Sequence, residues 1–219
     1  MHHSSAPEYP WGIPVVDVPI PEPREAALPP RVVALIREAE RRIASILENR
    51  TPPGFVCSEF ARVGRALQGI VDGNLATGNA CCEWGSGLGV VALMAACQGF
   101  SACGIEIDAD LVDAANALAA DVGLDVEFVC GTLVPPGGED LTDVPLEFGW
   151  LSAGGACGHE LLGVAPEDFD LIFAYPWPGE EEVVENLFER FAADSALLLT
   201  FNGLEDLRLR RKVAHLAAR

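Results

Sequence analysis

The chain has 219 residues, half of them hydrophobic, which is enough for one α/β domain with a core and a short extension. It contains no apolar run of the roughly 18 to 20 residues that a membrane span needs and no signal-peptide pattern, so we expect no membrane partner. Within the net charge of −19, residues 80–207 carry 24 acidic side chains and one arginine, which argues against DNA or RNA substrates. The acids either favour a cationic or neutral partner or serve only to keep the protein in solution.

The N-terminal third predicts an arm followed by helices. Residues 1–30 are rich in proline and have no period, which predicts an extended arm lying over the domain surface. Apolar residues at helical spacing predict a helix over 31–50 and a second over 58–71, with Ser58 as its N-cap. We therefore expect an arm over 1–30, a helical cap over 31–79 and a larger domain over 80–219.

Strand and helix patterns alternate from residue 80 onward. This alternation predicts an α/β fold with a Rossmann-like, mainly parallel sheet and helices on both of its faces. The tail after residue 203 has a helical pattern that is basic at its end. We expect strands over 80–84, 102–106, 125–130, 169–174 and 196–201, and helices over 88–98, 109–122 and 180–193.

A long connection over 131–168 interrupts the alternation. It contains glycine and proline pairs, and short helices are expected near 140–147 and 158–164. Connections of this length inside a compact domain are usually functional or disordered. His159 lies within it, where a general base and a solvated loop residue are the two interpretations.

The seven cysteines include no Cys-x-x-Cys pair. This spacing argues against a zinc site, and we expect no metal in this protein. Mostly apolar surroundings predict reduced thiols that pack as small hydrophobic groups. We therefore expect a cytoplasmic protein.

The most informative motif is the stretch from Cys81 to Gly89. An acid, Glu83, precedes three glycines at every second position, and an apolar helical pattern follows. Such a loop lets a ligand approach the backbone closely and opens onto the N–H groups at the start of a helix. A second acid, Glu106, ends the next strand, where a βαβ unit places an acid that holds ribose hydroxyls.

This pair of motifs resembles the class I S-adenosylmethionine-dependent methyltransferases over roughly residues 55–202. The resemblance implies S-adenosylmethionine as cofactor, with Glu106 on the ribose hydroxyls, Ile107 on the adenine face and Glu83 near the amino group. Thr132 stands where the family usually has an acid that contacts the adenine amino group, so either Thr132 or the backbone of Leu133 serves there. The expected cofactor-binding residues are Glu83, Gly85, Ser86, Gly87, Gly89, Glu106, Ile107 and Thr132.

The residues agree with a methyl donor better than with a nicotinamide dinucleotide. S-adenosylmethionine carries a sulfonium and an ammonium group, which acids attract, whereas Glu83 would repel a pyrophosphate. The dinucleotide fingerprint also needs glycine or alanine three positions after Gly87, where this chain has Val90.

The fourth predicted strand of the larger domain ends in Ala174-Tyr175-Pro176-Trp177-Pro178, where the acceptor is expected to meet the methyl group. The run is similar to the Asp/Asn-Pro-Pro-aromatic motif of enzymes that methylate amino groups on bases or glutamine. Here Ala174 and Tyr175 replace its first two residues, which weakens that assignment. Tyr175 and Trp177 are therefore expected to line the acceptor site as a rigid aromatic wall.

The expected function is an S-adenosylmethionine-dependent methyltransferase acting on a small-molecule or cationic acceptor, with a protein side chain as one version of the cationic case. The alternative is a catalytically silent module of the same fold that binds the cofactor or a partner; an aminopropyl transferase is disfavoured because its loop is richer in consecutive glycines. Class I members usually finish with an antiparallel hairpin. The seventeen residues from Gly203 onward leave little room for it, so we expect a shortened sheet or one irregular extra strand. The sequence does not indicate an oligomeric state.

Overall fold

A computed structural model of the chain describes residues 15–49, 58–142, 151–202 and 206–213. Within these residues the chain forms seven strands and six α-helices, and between residues 30 and 202 the elements predicted at fixed bounds agree with them within two residues at each end. They are β1 (Val15–Asp17), α1 (Pro30–Asn49), α2 (Phe60–Asp72), β2 (Ala80–Trp84), α3 (Val90–Cys97), β3 (Ser101–Glu106), α4 (Ala109–Asp121), β4 (Glu127–Cys130), α5 (Gly158–Leu162), β5 (Leu171–Ala174), α6 (Glu181–Phe191), β6 (Leu197–Asn202) and β7 (Asp206–Lys212).

All seven strands form one sheet in the order β1-β7-β6-β5-β2-β3-β4. The five strands from β6 to β4 are parallel, and β7 is antiparallel to both β6 and β1. The chain runs outward from β2 to β4 and then returns to β5 on the other side of β2. This reversal creates a crevice at the carboxyl ends of β2 and β5, where open α/β sheets bind ligands.

Helices cover both faces of the sheet, as the sequence predicts. Alternate residues along β2 and β5 point to opposite faces, so Cys81 and Leu171 join one buried cluster while Cys82 and Ile172 join the other. The first cluster includes the apolar faces of α1 to α4, and the second includes α6. Helices α1 and α2 thus share a core with the sheet. The division into arm, cap and larger domain stays a prediction.

The C-terminal edge of the sheet differs from the predicted helical tail. Residues 206–212 form β7, an antiparallel partner of β6, and the prediction of helix there is wrong. Leu207 and Leu209 pack on the core while Arg210 pairs with Glu185 on the other face, so this stretch follows the two-residue period of a strand. The chain therefore keeps an antiparallel hairpin, of which the tail supplies one strand.

The seventh strand comes from the N-terminal arm. β1 pairs with β7 along the edge of the sheet, and Asp17 accepts hydrogen bonds from Arg208 at 2.7 and 3.1 Å. The arm then crosses α2, where the Pro21 carbonyl approaches so closely that a Cβ on Gly69 would lie 2.0 Å from its oxygen. The described part of the arm thus forms the edge of the sheet and packs across α2. Residues 1–14 lie outside the described residues.

The long connection over 131–168, which we call the insertion, contains α5 and two short 3-10 turns at Glu139–Leu141 and Pro166–Asp168. Where a helix is expected near 140–147, the described residues show a 3-10 turn at Glu139–Leu141. The rest of that prediction, over 143–150, lies outside the described residues. Over the described ranges, no helix combines the length and apolar character that a membrane crossing needs.

Candidate active site

Two adjoining cavities open at the carboxyl ends of β2 to β5. The first, of about 250 Å³, lies between the glycine loop (Gly85–Gly89), the cap helices and the aromatic loop (Tyr175–Gly179). The second, of about 140 Å³, lies between the ends of β3 and β4, the aromatic loop and the insertion. Both cavities are lined by Gly85, Glu106, Tyr175, Pro176 and Trp177.

The three glycines of the loop have positive φ angles of 68°, 51° and 71°, a conformation that side chains disfavour. A Cβ on Gly85 would meet nothing within 4 Å, so this glycine opens space for a ligand. A Cβ on Gly89 would lie 2.2 Å from the Phe128 ring, and Gly89 lines neither cavity. Gly89 therefore packs α3 closely against β4, and its predicted contact with cofactor gains no support from this placement.

Four N–H groups of the loop donate within the protein, among them that of Gly89 to the Ser86 carbonyl at 2.7 Å. Those of Gly85 and Ser86 both donate to the Ile105 carbonyl at 2.9 Å, and that of Gly87 donates to Glu106 Oε2 at 2.7 Å. The loop is thereby fixed against β3. A ligand here would meet an open backbone surface and side chains rather than a row of free N–H donors.

Glu83 is a buried carboxylic acid in the wall of the first cavity, with 5 % of its surface exposed. Its Oε2 accepts a hydrogen bond from Ala92 N–H at 2.8 Å, in the first turn of α3. Burial raises the pKa of Glu83 to about 8, and the nearby Glu106 carboxylate adds to the rise, although backbone N–H groups of α3 oppose it. A cation entering the cavity would favour the charged form of this acid.

Glu106 stands between the two cavities. Its Oε1 accepts hydrogen bonds from the N–H groups of Ile107 and Asp108 at 2.7 and 3.0 Å, and its Oε2 binds Gly87. A carboxylate offers about four acceptor positions, so this network leaves capacity for a further donor. Glu106 is thus both a link between β3 and the glycine loop and an acid placed for a ligand.

Two further predicted residues, Ile107 and Ser86, have side chains that are available to a ligand. Ile107 lines the second cavity with half of its surface exposed, which offers an apolar face to a ligand. Ser86 is buried beside the first cavity, and its hydroxyl has no hydrogen-bond partner among the described residues. Buried polar groups are usually paired, so this hydroxyl is a natural contact for a polar ligand.

Thr132 has a different environment from the one its predicted role needs. Its hydroxyl donates to the Ser152 carbonyl and accepts a hydrogen bond from Val134 N–H at 3.1 Å. The side chain therefore fastens the insertion to the end of β4. Thr132 and Leu133 both line the second cavity, so the choice between the two alternatives left by the sequence stays a prediction.

The aromatic loop brings both predicted acceptor-site residues to the cavities. Tyr175 and Trp177 line both of them, and the Tyr175 ring stands edge-on to Phe201 with centroids 5.1 Å apart. This packing holds the Tyr175 ring as a rigid wall.

His159 does not line either cavity. It is 2 % exposed and packs between Trp84 and Phe169, so the expectation of a solvated loop residue is wrong. Burial lowers its pKa to about 4, while the Leu133 backbone opposes the shift. A general-base role in the cavities gains no support from this position.

Several residues that line the cavities are not among the predicted site residues. Ile43 and Phe60 bring cap helices α1 and α2 to the first cavity, and their only signal was membership in apolar helical stripes. Ser58 also lines it, whereas α2 begins after Glu59, which makes no side-chain cap; Ser58 is therefore not the N-cap we predicted. Glu180 is the first of three consecutive glutamates, whose pattern allows either interaction with the helix dipole or contact with an ammonium substrate; the structure buries its carboxylate in the wall of the second cavity.

The charged side chains lining the two cavities are all acids. Among the described residues these are Glu83, Glu106 and Glu180, with no lysine, arginine or histidine beside them. Likewise, no group of three or more histidine, cysteine or acidic side chains in the described ranges is placed to hold a metal ion. Acidic groups are therefore the ionisable groups that the described walls of the cleft present.

No protein-family model matches this chain, and no curated protein matches it. Solved structures do match. An RNA methyltransferase from Salinibacter ruber in complex with S-adenosyl-L-homocysteine is 16% identical, with 75% of this chain and 97% of that chain covered and a TM-score of 0.50. A methyltransferase from Geobacter sulfurreducens is 18% identical, with coverage of 87% and 93% and a TM-score of 0.50. Identities this low show the fold alone. The sheet order, the crevice and these likenesses together show that the chain has the fold of the class I S-adenosylmethionine-dependent methyltransferases.

Proposed function

We propose that this protein binds S-adenosylmethionine across the two cavities and transfers its methyl group to a small-molecule or cationic acceptor. The observation that carries the proposal is the placement of Glu83 and Glu106 beside an open glycine loop, at the reversal point of a methyltransferase fold. Glu106 and Glu83 suit a ligand with sulfonium and ammonium charges, because a bound cation would favour the charged form of Glu83.

In this proposal the cofactor extends across both cavities, with its adenosine part in the second and its methionine part in the first. Glu106 would hold the ribose hydroxyls, and the exposed face of Ile107 would pack on adenine in the second cavity. Glu83 would stabilise the ammonium group, while the open surface of Gly85 and the unpaired Ser86 hydroxyl would meet the methionine part in the first cavity. Gly89 supports this arrangement indirectly through its packing on Phe128.

The protein's main contribution to the reaction would be alignment. When bound, S-adenosylmethionine supplies an electrophilic methyl group, which a nucleophile takes by direct displacement. Tyr175 and Trp177 would wall the acceptor, exclude water and hold its nucleophilic atom in line with that methyl group. The described lining residues include no histidine or lysine. A neutral acceptor with a free lone pair would need no general base, whereas a protonated amine would first have to give its proton to solvent or to a lining carboxylate.

The acidic side chains that line the cleft favour some classes of methyl acceptor over others. An amine, a lysine or arginine side chain, or a neutral small molecule is compatible with a cleft lined by three acids, whereas a polyanion such as nucleic acid is disfavoured. A cytoplasmic location stays a prediction.

Calorimetric titration with S-adenosylmethionine and S-adenosylhomocysteine tests the proposal. We expect dissociation constants below about 1 mM, and Glu106→Ala should weaken binding by roughly 1–3 kcal/mol because it removes the acceptor for two hydroxyls. Asp113→Ala, an exposed position on α4 outside both cavities, is the matched control. Absence of binding by the unaltered protein would contradict the proposal.

A second measurement separates an enzyme from a silent binding module. Ala174, at the end of β5, lacks the polar side chain that base- and glutamine-methylating enzymes carry there, which keeps the module as the alternative. Labelled methyl donor incubated with the protein and cell extract should label an acceptor. Cofactor binding without any transfer would favour the module.

A further inference from the structure

Glu180 is a buried acid that the proposed reaction does not use. It lies immediately before α6, is 4 % exposed and lines the second cavity. Its Oε1 accepts a hydrogen bond from Leu151 N–H at 2.7 Å, and its Oε2 accepts one from Trp177 N–H at 3.3 Å. A single carboxylate therefore joins two segments that are 26 residues apart in the chain.

The first of these segments is the aromatic loop. Pro176 and Pro178 have no N–H group, so the amide of Trp177 is isolated between two residues that cannot donate. Glu180 accepts from that amide, and Glu181 Oε2 accepts from Gly179 N–H at 2.6 Å. The carboxylates that start α6 thus fix the path of the loop that carries Trp177 into the cleft.

The second segment is the wall of the second cavity formed by Leu151 and Ser152. Glu180 binds the N–H of Leu151, and the Thr132 hydroxyl binds the carbonyl of Ser152. Both segment residues line the cavity, to which Ile107 also contributes. The wall is therefore fastened at two adjacent points, by one side chain from the β4 end and one from α6.

Glu180 is placed to orient backbone rather than to bind a cationic ligand. Hydrogen bonds from backbone N–H groups to a carboxylate are strong, and removing the acceptor leaves buried donors unpaired. Leu151 lines the second cavity, where adenine is proposed to bind, whereas Trp177 lines both cavities and is proposed to contact the acceptor. The order of one segment is tied to the order of the other through this one side chain.

We propose that Glu180 is a positioning residue that fixes the insertion wall and the aromatic loop together, so that the adenine side and the acceptor side of the cleft are ordered as a unit. The effect on ligand affinity rests on the proposed function, whereas the effect on backbone order does not. Replacement by glutamine should keep one acceptor and present an N–H₂ group to the other donor. Replacement by alanine removes both acceptors.

Hydrogen–deuterium exchange of the ligand-free protein tests the positioning role. We expect peptides that contain Leu151 and Trp177 to exchange at least about tenfold faster in Glu180→Ala than in the unaltered protein, with Glu180→Gln between them. Peptides from β6 should be unchanged in Glu180→Gln, which separates local release from general loss of stability. Glu182→Gln is the matched control, because Glu182 is an exposed acid in the first turn of the same helix.

Titration of the same variants with S-adenosylhomocysteine tests the consequence for the cleft. Affinity should fall at least about tenfold in Glu180→Ala, fall less in Glu180→Gln and stay constant in Glu182→Gln. Should Glu180→Ala fail to fold, the glutamine variant decides both measurements. Unchanged exchange at both segments in Glu180→Gln and in any folded Glu180→Ala would overturn the proposal. Absence of binding by the unaltered protein would instead overturn the proposed function and leave the exchange result to decide the role of Glu180.

Discussion

The buried acid Glu83 should make the stability of this protein depend on pH. Burial and the Glu106 carboxylate raise its pKa in the folded protein from an ordinary value of 4.5 to about 8. A raised pKa means that the folded state binds the proton more tightly than the unfolded state does. The contribution to stability is therefore complete below about pH 4.5 and is lost as the pH rises through 8.

The size of this effect follows from the shift. A rise from 4.5 to about 8 corresponds to roughly 5 kcal/mol of unfolding free energy, lost at about 1.4 kcal/mol per pH unit between those values. Glu83→Gln removes the titrating group but keeps an oxygen that can accept from Ala92 N–H. The variant should therefore gain stability relative to the unaltered protein by about 2 to 3 kcal/mol between pH 5.5 and pH 7.5.

Urea unfolding at pH 5.5, 6.5, 7.5 and 8.5 measures this difference. Glu127→Gln, an exposed position on β4, is the control and should follow the unaltered protein at every pH. Parallel stability curves for Glu83→Gln and the unaltered protein would refute the reasoning, because they would mean that Glu83 titrates alike in the folded and unfolded states.

Three further outcomes are expected. Binding of S-adenosylmethionine at pH 7 should release up to about one proton, because a cation beside Glu83 favours its charged form; calorimetry in two buffers of different ionisation enthalpy measures this, and equal heats would contradict it. Gly89→Ala should lower the free energy of unfolding by about 2–5 kcal/mol through its clash with Phe128, whereas Gly85→Ala, which meets no neighbour, should lower it by about 1–2 kcal/mol. Removal of residues 1–18 should expose the edge of β7 and cause self-association in light scattering, whereas removal of residues 1–14 leaves β1 in place and should not.

The sheet core was predictable because its signals are local. Apolar strands separated by amphipathic helices specify a parallel sheet without knowledge of distant contacts. Strand β7 was not predictable, because it pairs with β6 and with the N-terminal arm, which is distant in the sequence. Without those neighbours, its charged residues resemble those of a helix. The strand pattern of Leu207 and Leu209 was present but too short to outweigh the arginines.

The site was predictable in position rather than in bonding. The motif placed Glu83 and Glu106 at the cleft because a glycine loop after a strand has one geometry, although their roles toward a cofactor stay predictions. The sequence could not show that Thr132 is committed to Ser152, or that Glu180 is the buried member of three consecutive glutamates. Both features depend on the place where the insertion packs against the sheet, and this long-range contact cannot be inferred from local sequence patterns.

The basic tail bears directly on the class of acceptor. In the part of the tail that the structure describes, the bases that could have offered phosphate contacts have partners inside the protein. These pairs are Arg208 with Asp17, Arg210 with Glu185, Arg211 with the carbonyls of Leu75 and Ser195, and Lys212 with the carbonyl of Ala192. Burial also lowers the pKa values of Arg210 and Lys212, as expected for cations held inside the fold. These four cationic side chains thus link β7 to neighbouring parts of the fold, whereas acidic side chains line the cleft. A polyanionic acceptor would meet repulsion at the cleft without compensation from these four side chains, which leaves cationic and neutral acceptors as the class that the charges favour.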